Sequence, residues 1–312
     1  MICITGATGF LGKHLVDVLK NNLVLTSRSS FAVDGNSCFI KNVNQHTNYS
    51  DMLTNVSCII HCAGRVHILN DKSTNSLQKY REVNTKGTLN LAKQAVKAGV
   101  KRFIFISSIK VNGESTKPDK AFTAFDNLNP EDFYSRSKAE AEVQLLHLAA
   151  NTELEVVIIR PTLVYGPGVK ANFSSLLNLV YKGIPLPFGC ITKNTRSLVS
   201  VTNLVDLIVT CIEHTKAVNQ VFLVSDDNDV STASMVNQMS KALGKRNRML
   251  PVPLWCYRLV GKAFGKQDVV NRLLGSLQVD ISHTKKTLGW VPPQTIEEGF
   301  KETAEAFLLN KK

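Results

Sequence analysis

The opening of the chain constrains its fold more than any other stretch. Ile2-Cys3-Ile4-Thr5 is a short apolar run of strand character, and Gly6-Ala7-Thr8-Gly9-Phe10-Leu11-Gly12 follows it directly. Leu11, Leu15, Val18 and Leu19 then recur at helical spacing. Strand, glycine-rich turn and helix in that order predict the first unit of a doubly wound parallel sheet. Gly6, Gly9 and Gly12 let the backbone approach a pyrophosphate, and the helix start offers free amides and the positive end of a dipole. The Gly-x-x-Gly-x-x-Gly spacing is one residue longer than the common dinucleotide fingerprint.

Two further strands bear on the same crevice. Leu23-Val24-Leu25-Thr26-Ser27 reads as the second strand, and its end carries Arg28 where an acid would read a ribose 2′-hydroxyl. An Arg there suits a 2′-phosphate, so NADP is favoured over NAD. Residues 31–56 are polar and irregular, with a short strand expected at Cys38-Phe39-Ile40. Ser57 to His61 is the next strand and runs into Cys62-Ala63-Gly64. Small residues such as Ala63 and Gly64 let a cofactor lie against the strand end. Arg65 and His67 follow at the carboxyl end, where open parallel sheets bind ligands.

Leu77 to Ala98 reads as one long helix, ended by Gly99 and Lys101. Arg102 to Ile106 is a strand with Ser107-Ser108 at its carboxyl end, where a hydroxyl can bond a substrate oxygen. Phe133-Tyr134-Ser135-Arg136-Ser137-Lys138 then opens a helix that sets Tyr134 and Lys138 one turn apart on one face. A free phenol titrates near 10, too high for a base at neutral pH. A neighbouring ammonium is expected to lower that value and make Tyr134 a proton donor and acceptor for an alcohol or ketone.

Thr5-Gly6-x-x-Gly9-x-x-Gly12, Val83-Asn84-x-x-Gly87-Thr88, Ser107-Ser108 before Val111-Asn112-Gly113, and Tyr134-x-x-x-Lys138 occur in that order. Together they resemble the extended short-chain dehydrogenase/reductase family, in its branch of nucleotide-sugar epimerases, reductases and dehydratases. The resemblance covers nearly the whole chain. It implies a Rossmann-type α/β fold with a smaller α/β C-terminal substrate lobe. Residues 1–165 would form the dinucleotide-binding domain, with 200–225 returning to it, and 166–312 the nucleotide-sugar lobe. It makes Ser108, Tyr134 and Lys138 the catalytic set, with Lys138 also holding the nicotinamide ribose. It adds Thr8, Phe10, Leu11, Asn84 and Pro161 to the cofactor contacts. On the substrate side it adds Lys110 and Asn172, with Arg196 and Arg272 as phosphate-binding cations.

The same resemblance argues against dehydration. Sugar 4,6-dehydratases of the family carry an Asp-Glu pair just after the catalytic hydroxyl, where this chain has Ile109-Lys110. The segments 106–113 and 275–282 resemble a bacterial subgroup that includes UDP-4-keto-sugar reductases for surface polysaccharide. With Arg28, this makes a UDP-4-keto-hexose reductase the leading expectation. A 4-epimerase with retained NAD is the alternative. A non-catalytic nucleotide sensor or assembly protein on the same fold is the rival of another class, and an intact Ser-Tyr-Lys set argues against it.

Composition agrees with an enzyme of small anionic ligands. The chain has 312 residues, a formal charge of +12 and 44% hydrophobic content. Its basic residues are scattered without an aromatic platform, so nucleic acid is not expected. Seven cysteines without framework spacing, and no apparent signal peptide, suggest reduced thiols in the cytoplasm. Cys58-x-x-His61-Cys62 reads as buried strand residues, so no metal is expected. No apolar run approaches the ~20 residues of a membrane span. Leu254 to Val260 is amphipathic with basic residues; packing on the lobe is expected for it, with a membrane-surface helix as the alternative. A homodimer through the helices at 77–98 and after Tyr134 is an option that the sequence leaves open.

Overall fold

A computed structural model describes residues 1–66, 76–117 and 120–311. Seven parallel strands form the central sheet in the order β3-β2-β1-β4-β5-β6-β9. They are β1 (Ile2–Thr5), β2 (Leu23–Ser27), β3 (Ser37–Ile40), β4 (Cys58–His61), β5 (Arg102–Ile106), β6 (Glu155–Pro161) and β9 (Gln220–Val224). The order reverses between β1 and β4, which pair directly with Ile4 beside Ile60 and Thr5 beside His61. Such a reversal opens a crevice at the carboxyl ends of the two strands. A second, two-stranded parallel sheet joins β7 (Leu163–Tyr165) to β8 (Leu198–Ser200).

Strand alternation sorts the sheet's side chains into two cores. Ile4, Leu25, Ile60, Ile104 and Ile159 face Leu15 of helix α1 (Phe10–Leu19), together with Leu204 and Ile208. Cys3, Val24, Ile59, Phe103, Phe105 and Ile158 face the other way, onto Leu91, Ala95 and Leu145. All these residues are almost wholly buried, as strands sandwiched between two helical layers require.

The helix expected over 77–98 is present but not uniform. It begins as α2 (Ser76–Tyr80), widens into a π-helical segment over Arg81–Gly87, and resumes as α3 (Thr88–Lys97). Asn84 lies in the widened segment. Helix α4 (Phe133–Ala150) begins on a capping box, with Asp132 Oδ1 accepting from Ser135 N–H at 2.6 Å and Ser135 Oγ accepting from Asp132 N–H at 3.1 Å.

The remaining helices are α5 (Ala171–Tyr181), α6 (Val201–Glu213), α7 (Thr232–Ala242), α8 (Leu254–Ala263), α9 (Gln267–Leu274), α10 (Ser282–Leu288) and α11 (Ile296–Leu309). A third core gathers Phe173 and Leu177 of α5, Val236 and Met239 of α7 and Phe300 of α11 around Tyr165. The Tyr165 hydroxyl donates to Asp226 at 2.8 Å, which satisfies the one polar atom of that buried ring. The segment after β5 crosses onto the chain before α10, where Thr116 N–H donates to Ser276 O and Phe122 N–H to Gln278 O, both at 2.8 Å. Helix α8 packs within the C-terminal part of the chain. Its principal neighbour is α9, and much of its apolar surface faces solvent.

Candidate active site

The glycine turn is built for close backbone approach. Gly6 has φ +70°, and a Cβ there would lie 2.9 Å from the Ala63 nitrogen across the crevice. A Cβ on Gly12 would come within 2.2 Å of the Gly6 carbonyl oxygen, so the helix can start only with glycine at that position. Gly9 is the N-cap of α1 and offers no side chain to its amides, which leaves them to an anionic ligand. Thr8 Oγ1 and Ser27 Oγ share a hydrogen bond of 2.9 Å that ties the turn to the end of β2. Phe10 and Leu11 are half-buried against the first core. Ala63 N–H donates to Thr5 Oγ1 at 3.2 Å, so β1 and β4 remain joined past the sheet. Pro161 is buried at the carboxyl end of β6. Arg28 lies exposed just past β2. These features fit a dinucleotide laid across β1 and β4.

Beside this crevice stand the three catalytic candidates. Ser108 leaves β5 and caps a short 3₁₀ turn, accepting from the Lys110 amide at 3.3 Å. The Tyr134 phenol faces the same hydroxyl, which acts to lower its value. Two residues that are 26 positions apart in the chain are thus placed on one potential oxygen. The Tyr80 ring meets the Tyr134 ring edge-on, with centroids 6.4 Å apart. One turn further along α4, buried Lys138 donates to the Ile106 carbonyl at 2.8 Å and lies 4.4 Å over the Phe105 ring. A Cβ on Gly64 would fall 3.4 Å from the Lys138 nitrogen and 3.2 Å from Asn84 Oδ1. Gly64 is therefore where β4, the π segment and α4 converge.

The electrostatics correct one expectation. Tyr134 is pushed up to about 12, chiefly by burial and then by the Asp132 carboxylate, against a smaller lowering by Ser108. Lys138 does not depress it, because its ammonium points to the Ile106 carbonyl and is itself brought down to about 8 by burial. In the ligand-free chain the phenol is a proton donor, and ionising it calls for added positive charge nearby.

Asn84 is committed to the protein. Its Oδ1 accepts from Arg65 N–H at 2.7 Å, and its Nδ2 donates to Arg65 O at 3.0 Å and Ser137 Oγ at 2.9 Å. Both amide hydrogens are used in fastening the end of β4 to α4, so Asn84 shapes the crevice. The π segment follows from this, since the extra residue per turn lets Asn84 face inward, and such bulges recur at functional sites. Arg65 is half-buried, with its guanidinium 5.5 Å from the centre of the Tyr80 ring. His67 lies outside the described residues.

Lys110, expected at the substrate, reaches instead to Glu114 and Asp132, each at 2.9 Å. It joins the Ser108 turn to the cap of α4. Burial works against the Asp132 charge, but the Ser135 amide and Lys110 outweigh it and hold the carboxyl well below the usual range. Arg196 and Arg272 are brought together, with Arg196 Nη1 donating to the Arg272 carbonyl at 2.6 Å and to Gly275 O at 3.2 Å. The Arg272 side chain is exposed, as is Asn172 in the first turn of α5.

Several supporting residues escaped the sequence reading. Ser137 accepts from Asn84 and donates to the Tyr134 carbonyl at 2.7 Å. Asp132 was within reach, because Asp three residues before Ser135 at a helix start is a capping signal. His61 is wholly buried between Thr5 Oγ1 at 2.6 Å and Thr88 Oγ1 at 2.9 Å. Burial first, and then Lys138, bring it down to about 3, so it is a neutral strut under the crevice.

Comparison with known proteins agrees with this geometry. Residues 2–225 match the model of the NAD dependent epimerase/dehydratase family. The chain belongs to that family. It is 60% identical over 312 residues to a Vibrio cholerae protein described as UDP-glucose 4-epimerase, covering 98% of this chain and 95% of the relative. Among solved structures, UDP-glucuronic acid 4-epimerase from Bacillus cereus in complex with NAD superposes with a TM-score of 0.79 at 20% identity, over 100% of this chain and 99% of that one. UDP-glucose 4-epimerase from Thermotoga maritima with UDP-glucose superposes with a TM-score of 0.78 at 22% identity, over 100% and 99%. At such identities the structures speak for the fold, which is the one expected from the sequence. The family makes the chain an NAD-dependent enzyme of the epimerase/dehydratase type.

Proposed function

We propose that the protein is a UDP-hexose 4-epimerase that retains NAD, with residues 1–165 and 200–225 holding the cofactor and 166–312 the sugar nucleotide. The observation that carries the reading is the Tyr134 phenol facing Ser108 beside the glycine-lined crevice, with buried Lys138 one turn along α4. The 60% identical relative described as UDP-glucose 4-epimerase supports the epimerase reading over the reductase. The family model that the chain matches is NAD dependent, which supports NAD over the NADP that Arg28 suggested.

Bound NAD would supply a hydride acceptor and donor and, when oxidised, a positively charged ring. That charge favours the Tyr134 phenolate, which takes the proton of the sugar C4 hydroxyl, while Ser108 donates to the same oxygen. Tyr134 returns the proton when the carbon is reduced from its other face. Lys138 holds the cofactor's ribose. Asn84 keeps Gly64 and Arg65 clear of that position. Arg196 and Arg272 are the cations proposed to meet the diphosphate, and Asn172 is proposed as a further contact. Ile109 and Lys110 provide no carboxylate for eliminating water.

The test is incubation of the purified chain with UDP-glucose and no added cofactor. Formation of UDP-galactose, with NAD released on denaturation, is expected. Turnover only of 4-keto sugars with added NADPH would give the reductase, and cofactor binding without turnover would give the sensor.

A further inference from the structure

Helices α8 and α9 carry a surface that the catalytic reading does not use. They are held together where Gly261 meets Val270, since a Cβ on that glycine would lie 2.7 Å from the valine side chain. The far side of α8 is uncovered. Trp255 is 62% exposed, Leu259 58% and Val260 56%, and Phe264 at the helix end is 74% exposed. Trp255 and Leu259 lie one turn apart on one line of the helix, and Arg258 and Lys262 lie one turn apart on the line beside it. Lys266 follows in the turn between the helices. Over 254–266 the sequence carries Arg258, Lys262 and Lys266 and no carboxylate.

We propose that the α8–α9 hairpin docks on an anionic lipid surface, with Trp255, Leu259 and Val260 entering the headgroup–acyl boundary and Arg258 and Lys262 meeting lipid phosphates. Aromatic and aliphatic side chains interleaved with long basic ones suit this boundary, because the alkyl stems lie among the tails while the charges stay at the headgroups. Charge decides against a second copy of the chain as the occupant. Two such faces would oppose cation to cation, in a molecule already carrying +12. An anionic bilayer supplies the opposite charge. No described helix is long and apolar enough to cross a membrane, so the contact is peripheral.

The full chain is mixed with vesicles of phosphatidylcholine alone, or of phosphatidylcholine and phosphatidylglycerol in equal parts. Binding is read by sedimentation and by tryptophan emission. The chain has two tryptophans. Trp290 is buried with its indole N–H on Asp206 at 2.6 Å, so a blue shift reports Trp255. Binding and a blue shift are expected with the anionic vesicles only, weakening with salt. Arg258→Gln and Lys262→Gln should each lower partitioning about fivefold. Leu259→Glu should abolish binding with turnover unchanged. Failure to bind anionic vesicles, or equal binding to both kinds, overturns the proposal. So does a dimer in solution that Leu259→Glu dissociates, which would make a second copy the occupant.

Discussion

Lys138 is the residue whose position costs the fold and serves the site. Its ammonium is buried with one carbonyl and one aromatic face for company, and its value falls from 10.5 to about 8. The unfolded chain holds that proton more tightly, so the penalty is full below pH ~8 and relieved as pH rises towards ~10.5. Lys138→Met should therefore stabilise the ligand-free chain to urea at pH 7, with the gain shrinking between those two values, while turnover is lost. A gain independent of pH would mean that the ammonium is not strained. Ser108 and Tyr134 act on one oxygen in this account, so their losses should not multiply. Tyr134→Phe should reduce turnover about 10²–10⁴-fold, and adding Ser108→Ala should cost much less than it does alone.

At the scale of elements, α4 is the part that assembles the site, and its start is pinned from two sides. Asp132 caps it and Lys110 ties that cap to the Ser108 turn. Asp132→Ala should destabilise the chain by about 0.5–2 kcal/mol in denaturant titrations and also lower turnover, because Ser108 and Tyr134 lose their common anchor. The carboxylate's depressed value means that its contribution is complete above pH ~4 and declines only as pH falls below that. Further along α4, Glu142 receives Arg160 of β6 at 2.6 Å in a buried pair, and Asn112 accepts from the same guanidinium at 3.1 Å. Glu142→Ala should cost about 3–5 kcal/mol by stranding that charge.

Elements were legible in the sequence where local chemistry decides them. The strand–glycine–helix start, the strand ending in Ser108 and the helix opening at Tyr134 all follow from runs of neighbouring residues. The π segment did not, since Asn84's partners Arg65 and Ser137 come from distant parts of the chain. Lys110 looked like a substrate contact because Glu114 and Asp132 reach it only after folding. The raised value of Tyr134 has the same origin, since burial and the Asp132 carboxylate set it and helical spacing shows neither.

For the whole molecule, one sheet reversal and one crossing segment bring the parts to a single place. The reversal sets Gly6 against Ala63 at the crevice proposed for the cofactor. The segment after Ser108 carries the active-site edge onto the chain before α10, close in sequence to Arg272. Hydride removal and return at one sugar carbon is what such an assembly would accomplish. The most direct measurement uses UDP-glucose deuterated at C4, with no cofactor added. The account predicts UDP-galactose that keeps its deuterium at C4 and gains none from heavy water. Loss of that label to solvent, or solvent deuterium entering the ring, would contradict it.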